Sequence, residues 1–114
     1  MLKRGAEAEQ LAAVFLQRHG LRIIGRNYRC RGGEVDLICE DGKTLVFVEV
    51  RLRTNARFGS AADSITGAKQ QRVMLAARHY LAGKAERPCR FDAVLFDQLD
   101  SERIEWIKNA FDAD

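Results

Sequence analysis

Apolar residues recur at intervals of three and four between Gly5 and His19, where Ala8, Leu11, Ala12, Phe15 and Leu16 share one side of an amphipathic helix. His19-Gly20 supplies a basic end and a glycine stop. The period then shortens. Leu21, Ile23 and Ile24 mark a short strand running to Tyr28, and Arg29 to Gly33, closing on Gly-Gly, predicts a turn. Two further strands, Glu34 to Cys39 and Thr44 to Leu52, flank Asp41-Gly42, a dipeptide suited to a tight hairpin. The polar stretch from Arg53 to Ser60 predicts a mobile loop with one aromatic, Phe58. Helical spacing returns from Thr66 to Gly83 through Val73, Ala76, Ala77, Tyr80 and Leu81. Phe91 to Phe96 and Ile104 to Ile107 complete the pattern as two strands around the acidic turn Asp97 to Glu102. The order α, β, β, β, α, β, β predicts an α/β or α+β domain in which helices cover a mixed sheet of about five strands.

Length sets the domain count. The chain has 114 residues, one Pro, 46% hydrophobic and 31% charged residues, and no internal repeat, which predicts one domain over 1–114. Its longest apolar runs, Leu11 to Leu16 and Leu45 to Val48, are far short of a membrane span, and no signal peptide is recognisable. A soluble, cytoplasmic protein without a membrane partner is expected. Cys30, Cys39 and Cys89 are odd in number, without a CxxC pair or a nearby His, and read as buried apolar fillers rather than a disulfide framework or zinc site.

Charge is distributed unevenly. Residues 1–91 carry 17 basic and 9 acidic side chains, a balance of +8, whereas residues 92–114 carry 2 and 7, a balance of −5. Arg18, Arg22, Arg26, Arg29 and Arg31 fall between Gln10 and Gly33 without an acid, and Arg51, Arg53, Arg57 and then Lys69, Arg72, Arg78 form further clusters. Grouped cations neutralise phosphates and release counterions, which suits nucleic acid as a partner, and a solvated basic surface that binds nothing is the alternative that charge alone leaves open.

The hairpin brings chemistry into one place. With Asp41-Gly42 as a two-residue loop, Asp36 lies opposite Phe47, Glu34 lies opposite Glu49, and Glu34, Asp36, Glu49 and Arg51 share one face. Asp36 and Glu49 are then diagonal neighbours with Cβ atoms on the order of 7 Å apart. Two carboxylates so placed can close on one divalent cation with oxygens about 2.1 Å from it. Hard oxygen ligands suit Mg²⁺ or Mn²⁺, which offset phosphodiester charge and lower the pKa of an attacking water. Arg51 can fix a phosphate with its planar fork, but it stays protonated and cannot act as a base. The competing reading is an exposed cross-strand salt-bridge ladder. Glu49 argues against it by interrupting the apolar run Leu45 to Val50.

The stretches GAEAEQLAAVFLQRHGLRIIGRNYRCRGGEVDLI, LVFVEVRLR, FGSAADSIT, KQQR and RFDAVLF cover nearly the whole chain and resemble the YraN-like family of small bacterial proteins. That family is similar to the restriction-endonuclease-like PD-(D/E)XK superfamily and to archaeal Holliday-junction resolvases, metal-dependent endonucleases acting on branched DNA. The resemblance implies a restriction-endonuclease-like fold and a Mg²⁺ (or Mn²⁺) site held by Glu9, Asp36 and Glu49. Glu49-Val50-Arg51 matches the E-x-K element, and Glu34, from the GE(I/V)DL text, is implied as an accessory ligand. Glu7 is expected to point elsewhere and complement the helix dipole. Arg29, Arg31, Arg53, Lys69 and Arg72 are expected to contact nucleic acid, with Trp106 and Phe111 as packing residues. Symmetric-junction resolvases act as dimers, which implies a homodimer here. Arg51 departs from the usual active-site Lys. Two readings stay open: a metal-dependent endonuclease of DNA processing, or a weak or inactive nuclease-fold protein that binds nucleic acid as an adaptor.

Overall fold

A computed structural model of the chain describes residues 4–53, 65–97 and 103–112. Within them the elements run α1 (Arg4–Arg18), β1 (Arg22–Cys30), β2 (Gly33–Asp41), β3 (Thr44–Arg53), α2 (Gly67–Leu81), β4 (Cys89–Asp97) and β5 (Ile104–Phe111). The expected element order is borne out, and each strand ends later than predicted, by one residue at β3 and by four at β5. The expected loop at 54–60, with Arg57 and Phe58, lies outside the described residues, as do most of the acidic turn and the side chains of Arg53 and Asp97.

Small residues bring α1 onto the sheet: Ala8, Ala12, Ala13 and Leu16 are all buried. The helix ends as its sequence predicts. Gly20, at φ 92, sits where the Gly20 N–H reaches Gln17 O and the Leu21 N–H reaches Leu16 O, the paired bonds of a Schellman motif. Thr66 caps α2 by accepting from the Lys69 N–H, so the helix starts where its polar residues suggested.

The five strands form one mixed sheet in the order β1-β2-β3-β4-β5, antiparallel except for the β3–β4 pair. That parallel pair is joined through α2. Alternate strand residues separate two cores, with Phe47, Phe91 and Phe111 meeting α2 on one face and Val46, Val48 and Phe96 meeting α1 on the other. This five-stranded α/β sheet with two helices is consistent with a restriction-endonuclease-like fold.

The β2–β3 hairpin corrects the expected register. Asp41 pairs with Thr44 and Leu37 with Val48, so the loop is Gly42-Lys43 rather than Asp41-Gly42. Gly42 supplies its positive φ of 60 at the first loop position, as a type II′ turn requires, which keeps Asp41 in the strand. The slip is two residues, so the facing pattern survives while the partners change. The regular ladder ends at Leu37–Val48, and its register no longer sets Asp36 opposite Phe47 or Glu34 opposite Glu49.

Two other expectations change. Of the cysteines only Cys39 is fully buried; Cys30 is half-buried and Cys89 is exposed. Glu7 occupies the first turn of α1 but is half-buried, with one carboxylate oxygen enclosed and unpaired among the described residues.

Candidate metal centre and phosphate surface

Asp36 stands where strand alternation breaks. Val35 packs into the core under α2 and Leu37, two residues on, into the core under α1. Across the β1–β2 register, between the pairs Arg26–Leu37 and Tyr28–Val35, Asn27 has a left-handed backbone at φ 50. Asparagine tolerates that conformation far better than the branched residues that suit a strand. On its other side Asp36 departs from regular pairing too, because its Oδ2 accepts the Val50 N–H of β3 at 2.8 Å. The kink therefore presents the Asp36 carboxyl to both Glu9 of α1 and Glu49 of β3.

Electrostatics record this meeting of acids. Burial first, and then the Asp36 carboxyl beside it, push Glu49 well above the ordinary carboxylate range, with Lys69 pulling the other way. Burial and then the charge of Asp36 raise Glu9 as well, opposed by Asn27 and Arg29. Glu49 is 0% exposed, and among the described residues neither of its carboxylate oxygens has a geometric hydrogen-bond partner. Lys69 Nζ lies 3.2 Å from Oε2, close enough for an ion pair but without hydrogen-bond geometry.

Lys69 has neighbours that the sequence did not indicate. Expected on a phosphate-facing surface, it is half-buried and reaches back from α2 to Glu49 and, at 3.3 Å, to Glu34. Its route is set by Gly33. A Cβ there would lie 2.8 Å from both Ala76 N and Arg72 O, so only glycine lets β2 begin directly against the α2 backbone. Glu34, the next residue, also meets Arg72 at 3.3 Å and Arg29 at 3.7 Å. Burial alone would raise Glu34, but Lys69 and then Arg72 and Arg29 outweigh it and hold its carboxyl below the usual range.

The remaining candidates are more dispersed. Arg51 is half-buried, two residues beyond Glu49 and beside Leu95 of β4. Arg31 is exposed on the β1–β2 turn, and the side chain of Arg53 lies outside the described residues. Trp106 and Phe111 pack as expected: Phe111 stacks on Phe91, and Trp106 donates its indole N–H to Asp92. Asp92, not singled out by sequence, is a second fully buried acid. Both its oxygens face Arg90 Nε at 3.1 Å, and it also accepts the Asn109 N–H, so its charge is fully partnered.

That contrast bears on metal. Asp92 is satisfied by protein donors, whereas Glu49 is equally buried and, among the described residues, faces the Lys69 ammonium without a geometric hydrogen bond to either oxygen, a condition a second cation would relieve. Among the described residues no three His, Cys, Asp or Glu side chains converge into a metal cage. Mg²⁺ is commonly held by only one or two carboxylates and keeps several waters. Asp36 and Glu49 thus fit as a two-carboxylate set, with Glu9 at its margin.

Comparison with known proteins places the chain in a family. The model for "Uncharacterised protein family UPF0102" matches residues 8–96, from the turn before Glu9 through to the end of the β4 core. The chain belongs to the UPF0102 family. It is similar to a UPF0102 protein of Dechloromonas aromatica, 60% identical over 97% of this chain and 90% of that protein. One from Nitrosomonas europaea is 57% identical over 96% and 93%, and one from Cupriavidus taiwanensis 59% over 97% and 84%. The UPF0102 match thus spans Glu9, Asp36, Glu49 and Lys69. No helix among the described residues is long and apolar enough to cross a membrane.

Proposed function

We propose that this UPF0102 protein is a nucleic-acid-binding, divalent-metal-dependent endonuclease that hydrolyses phosphodiesters in DNA, with Asp36 and Glu49 as the metal-holding pair. The observation that carries the reading is Glu49, fully buried beside a second carboxyl, with only the Lys69 ammonium facing it and no geometric hydrogen bond to either oxygen among the described residues. A buried carboxyl short of hydrogen-bond donors is costly, and such groups cluster where chemistry is done. Bound there, Mg²⁺ or Mn²⁺ supplies Lewis acidity toward a phosphate oxygen and an activated water.

The protein's own groups do the rest. The Val50 N–H holds Asp36 Oδ2 and fixes the direction of that carboxylate. Lys69 brings an ammonium to the edge of Glu49, where E-x-K sequences carry their lysine on the strand itself, and so supplies the compact cation that Arg51 does not. Arg51, farther along β3, and the exposed Arg29 and Arg72 provide planar forks for flanking phosphates. Glu9 adds negative charge on the α1 side of Asp36.

A second reading has its own support. Lys69 already neutralises part of Glu49, as in a structural ion pair, which suits a binding module that has lost cleavage. A gel assay separates the two. Labelled four-way-junction, flap, single-stranded and duplex DNA are incubated with protein in Mg²⁺, Mn²⁺ or EDTA, beside Asp36→Asn and Glu49→Gln. Metal-dependent cleavage lost in both variants establishes the nuclease, and sedimentation of the junction complex tests the homodimer. Binding with no cleavage in any metal leaves the adaptor.

A further inference from the structure

Three cations from two different elements converge on one side chain next to the Asp36–Glu49 pair. Lys69 and Arg72 come from α2 and Arg29 from β1, and all three point at the Glu34 carboxylate, at 3.3, 3.3 and 3.7 Å. Glu34 itself is half-buried and stands two residues before Asp36. Lys69 is shared with Glu49, but Arg72 and Arg29 both face Glu34 as well, so this monoanion meets more cationic charge than it can neutralise. The separations are also longer than the 2.7–2.9 Å typical of charge-assisted bonds, so the carboxylate occupies the cluster without saturating it. A phosphate carries more oxygens than a carboxylate and matches an arginine fork at least as well.

We infer that Lys69, Arg72 and Arg29 form an anion subsite for a nucleic-acid phosphate, and that Glu34 fills it as an internal stand-in until the phosphate displaces it. The inference deepens the proposed function by naming how the strand is seated beside the metal-holding pair, and rests on that reading only for the source of the phosphate. Glu34 then acts as a built-in competitor. Ligand gains access by swinging the carboxylate out of a contact that Gly33 fixes in place, since β2 cannot retreat from α2 at that point.

The test is Glu34→Gln, with Glu86→Gln as a control that makes the same charge change at an exposed position on the α2–β4 connection. Binding of a fluorescent single-stranded oligonucleotide is followed by anisotropy in EDTA across a salt series, and pyrophosphate binding is followed by calorimetry. Glu34→Gln should tighten both ligands by about fivefold relative to Glu86→Gln, the equivalent of one modest ion pair. The slope of log affinity against log salt should steepen by about 0.7, one added phosphate contact. Arg72→Gln in the Glu34→Gln background should abolish the gain. Equal affinities for Glu34→Gln and Glu86→Gln, or weaker binding by Glu34→Gln, overturns the inference by making Glu34 a brace for the cations. The two readings fail separately: pyrophosphate tightened by Glu34→Gln with no oligonucleotide binding in any variant keeps the subsite and sinks the nucleic-acid function.

Discussion

Glu49→Gln removes one buried charge with little change of shape, and the site fixes how its effect must vary with pH. Burial, then Asp36, raise Glu49 from 4.5 to about 8 in the folded protein, against the pull of Lys69. A carboxyl that holds its proton more tightly when folded adds no penalty below about pH 4.5. The native state then loses stability as pH rises, and the loss is complete above about pH 8. At about 1.4 kcal/mol per pKa unit the whole loss is roughly 5 kcal/mol, a large share of the 5–15 kcal/mol typical of a domain. Between pH 5.5 and 8.5 about 3 kcal/mol of it should appear. Glu9 shifts in the same direction, while the stabilisation from Glu34 is lost only as pH falls below about 4.5 and that from Lys69 only above about 10.5, so neither intrudes on this window. The assay is urea denaturation in EDTA, followed by the single tryptophan, Trp106. Wild type should lose about 3 kcal/mol relative to Glu49→Gln across that range. A constant offset between the two proteins at every pH would refute a raised Glu49 and with it the case for an unsatisfied carboxylate.

Three further outcomes follow from the same contacts. Gly33→Ala forces a Cβ against the α2 backbone and should cost about 1–3 kcal/mol in urea denaturation, with a weakened ion pair between Lys69 and Glu49 visible as a shifted Lys69 resonance by NMR. Asp92→Ala strands Arg90 and the Trp106 indole without their shared acceptor, and should cost about 3–5 kcal/mol with a change in Trp106 emission; an unchanged midpoint would deny Asp92 its structural role. If cleavage is found, Lys69→Met should lower it about 100-fold, and Arg51→Lys should fail to restore it, measured as single-turnover rates on the preferred DNA.

Much of this was legible along the chain because it is local. Amphipathic spacing, Gly20, Thr66 and the β-rich runs each act within a few residues, and each marks its element in the structure. The meeting of the Asp36 and Glu49 side chains was half legible. Parity placed both acids together, but whether Gly42 serves as the first or second loop residue moves the partners by two without moving the face. The kink at Asn27 was signalled only by an asparagine inside a strand, a mark shared by many turns. Asp92 was invisible as a buried acid because its partners, Arg90, Trp106 and Asn109, meet it through the β4–β5 pairing. Cys89 misled for the opposite reason: residue type favours burial, yet it sits exposed at the mouth of β4 beside Pro88.

The case of Lys69 shows why strand text alone is a poor guide to this site. The E-x-R element on β3 suggests a centre weakened by losing its lysine, since guanidinium is bulkier than ammonium and does not change protonation. What restores an ammonium to Glu49 is the seating of α2, twenty residues later in the chain, and that seating depends on the missing side chain of Gly33. Cation and glycine are separated in sequence, and neither suggests the other. Together they make the charge at Glu49 a property of how a helix docks on a sheet. A substitution at Gly33 or on the buried face of α2, at Val73 or Ala76, should therefore change the chemistry at Glu49 without touching it, whereas the same change on the α1 face should not.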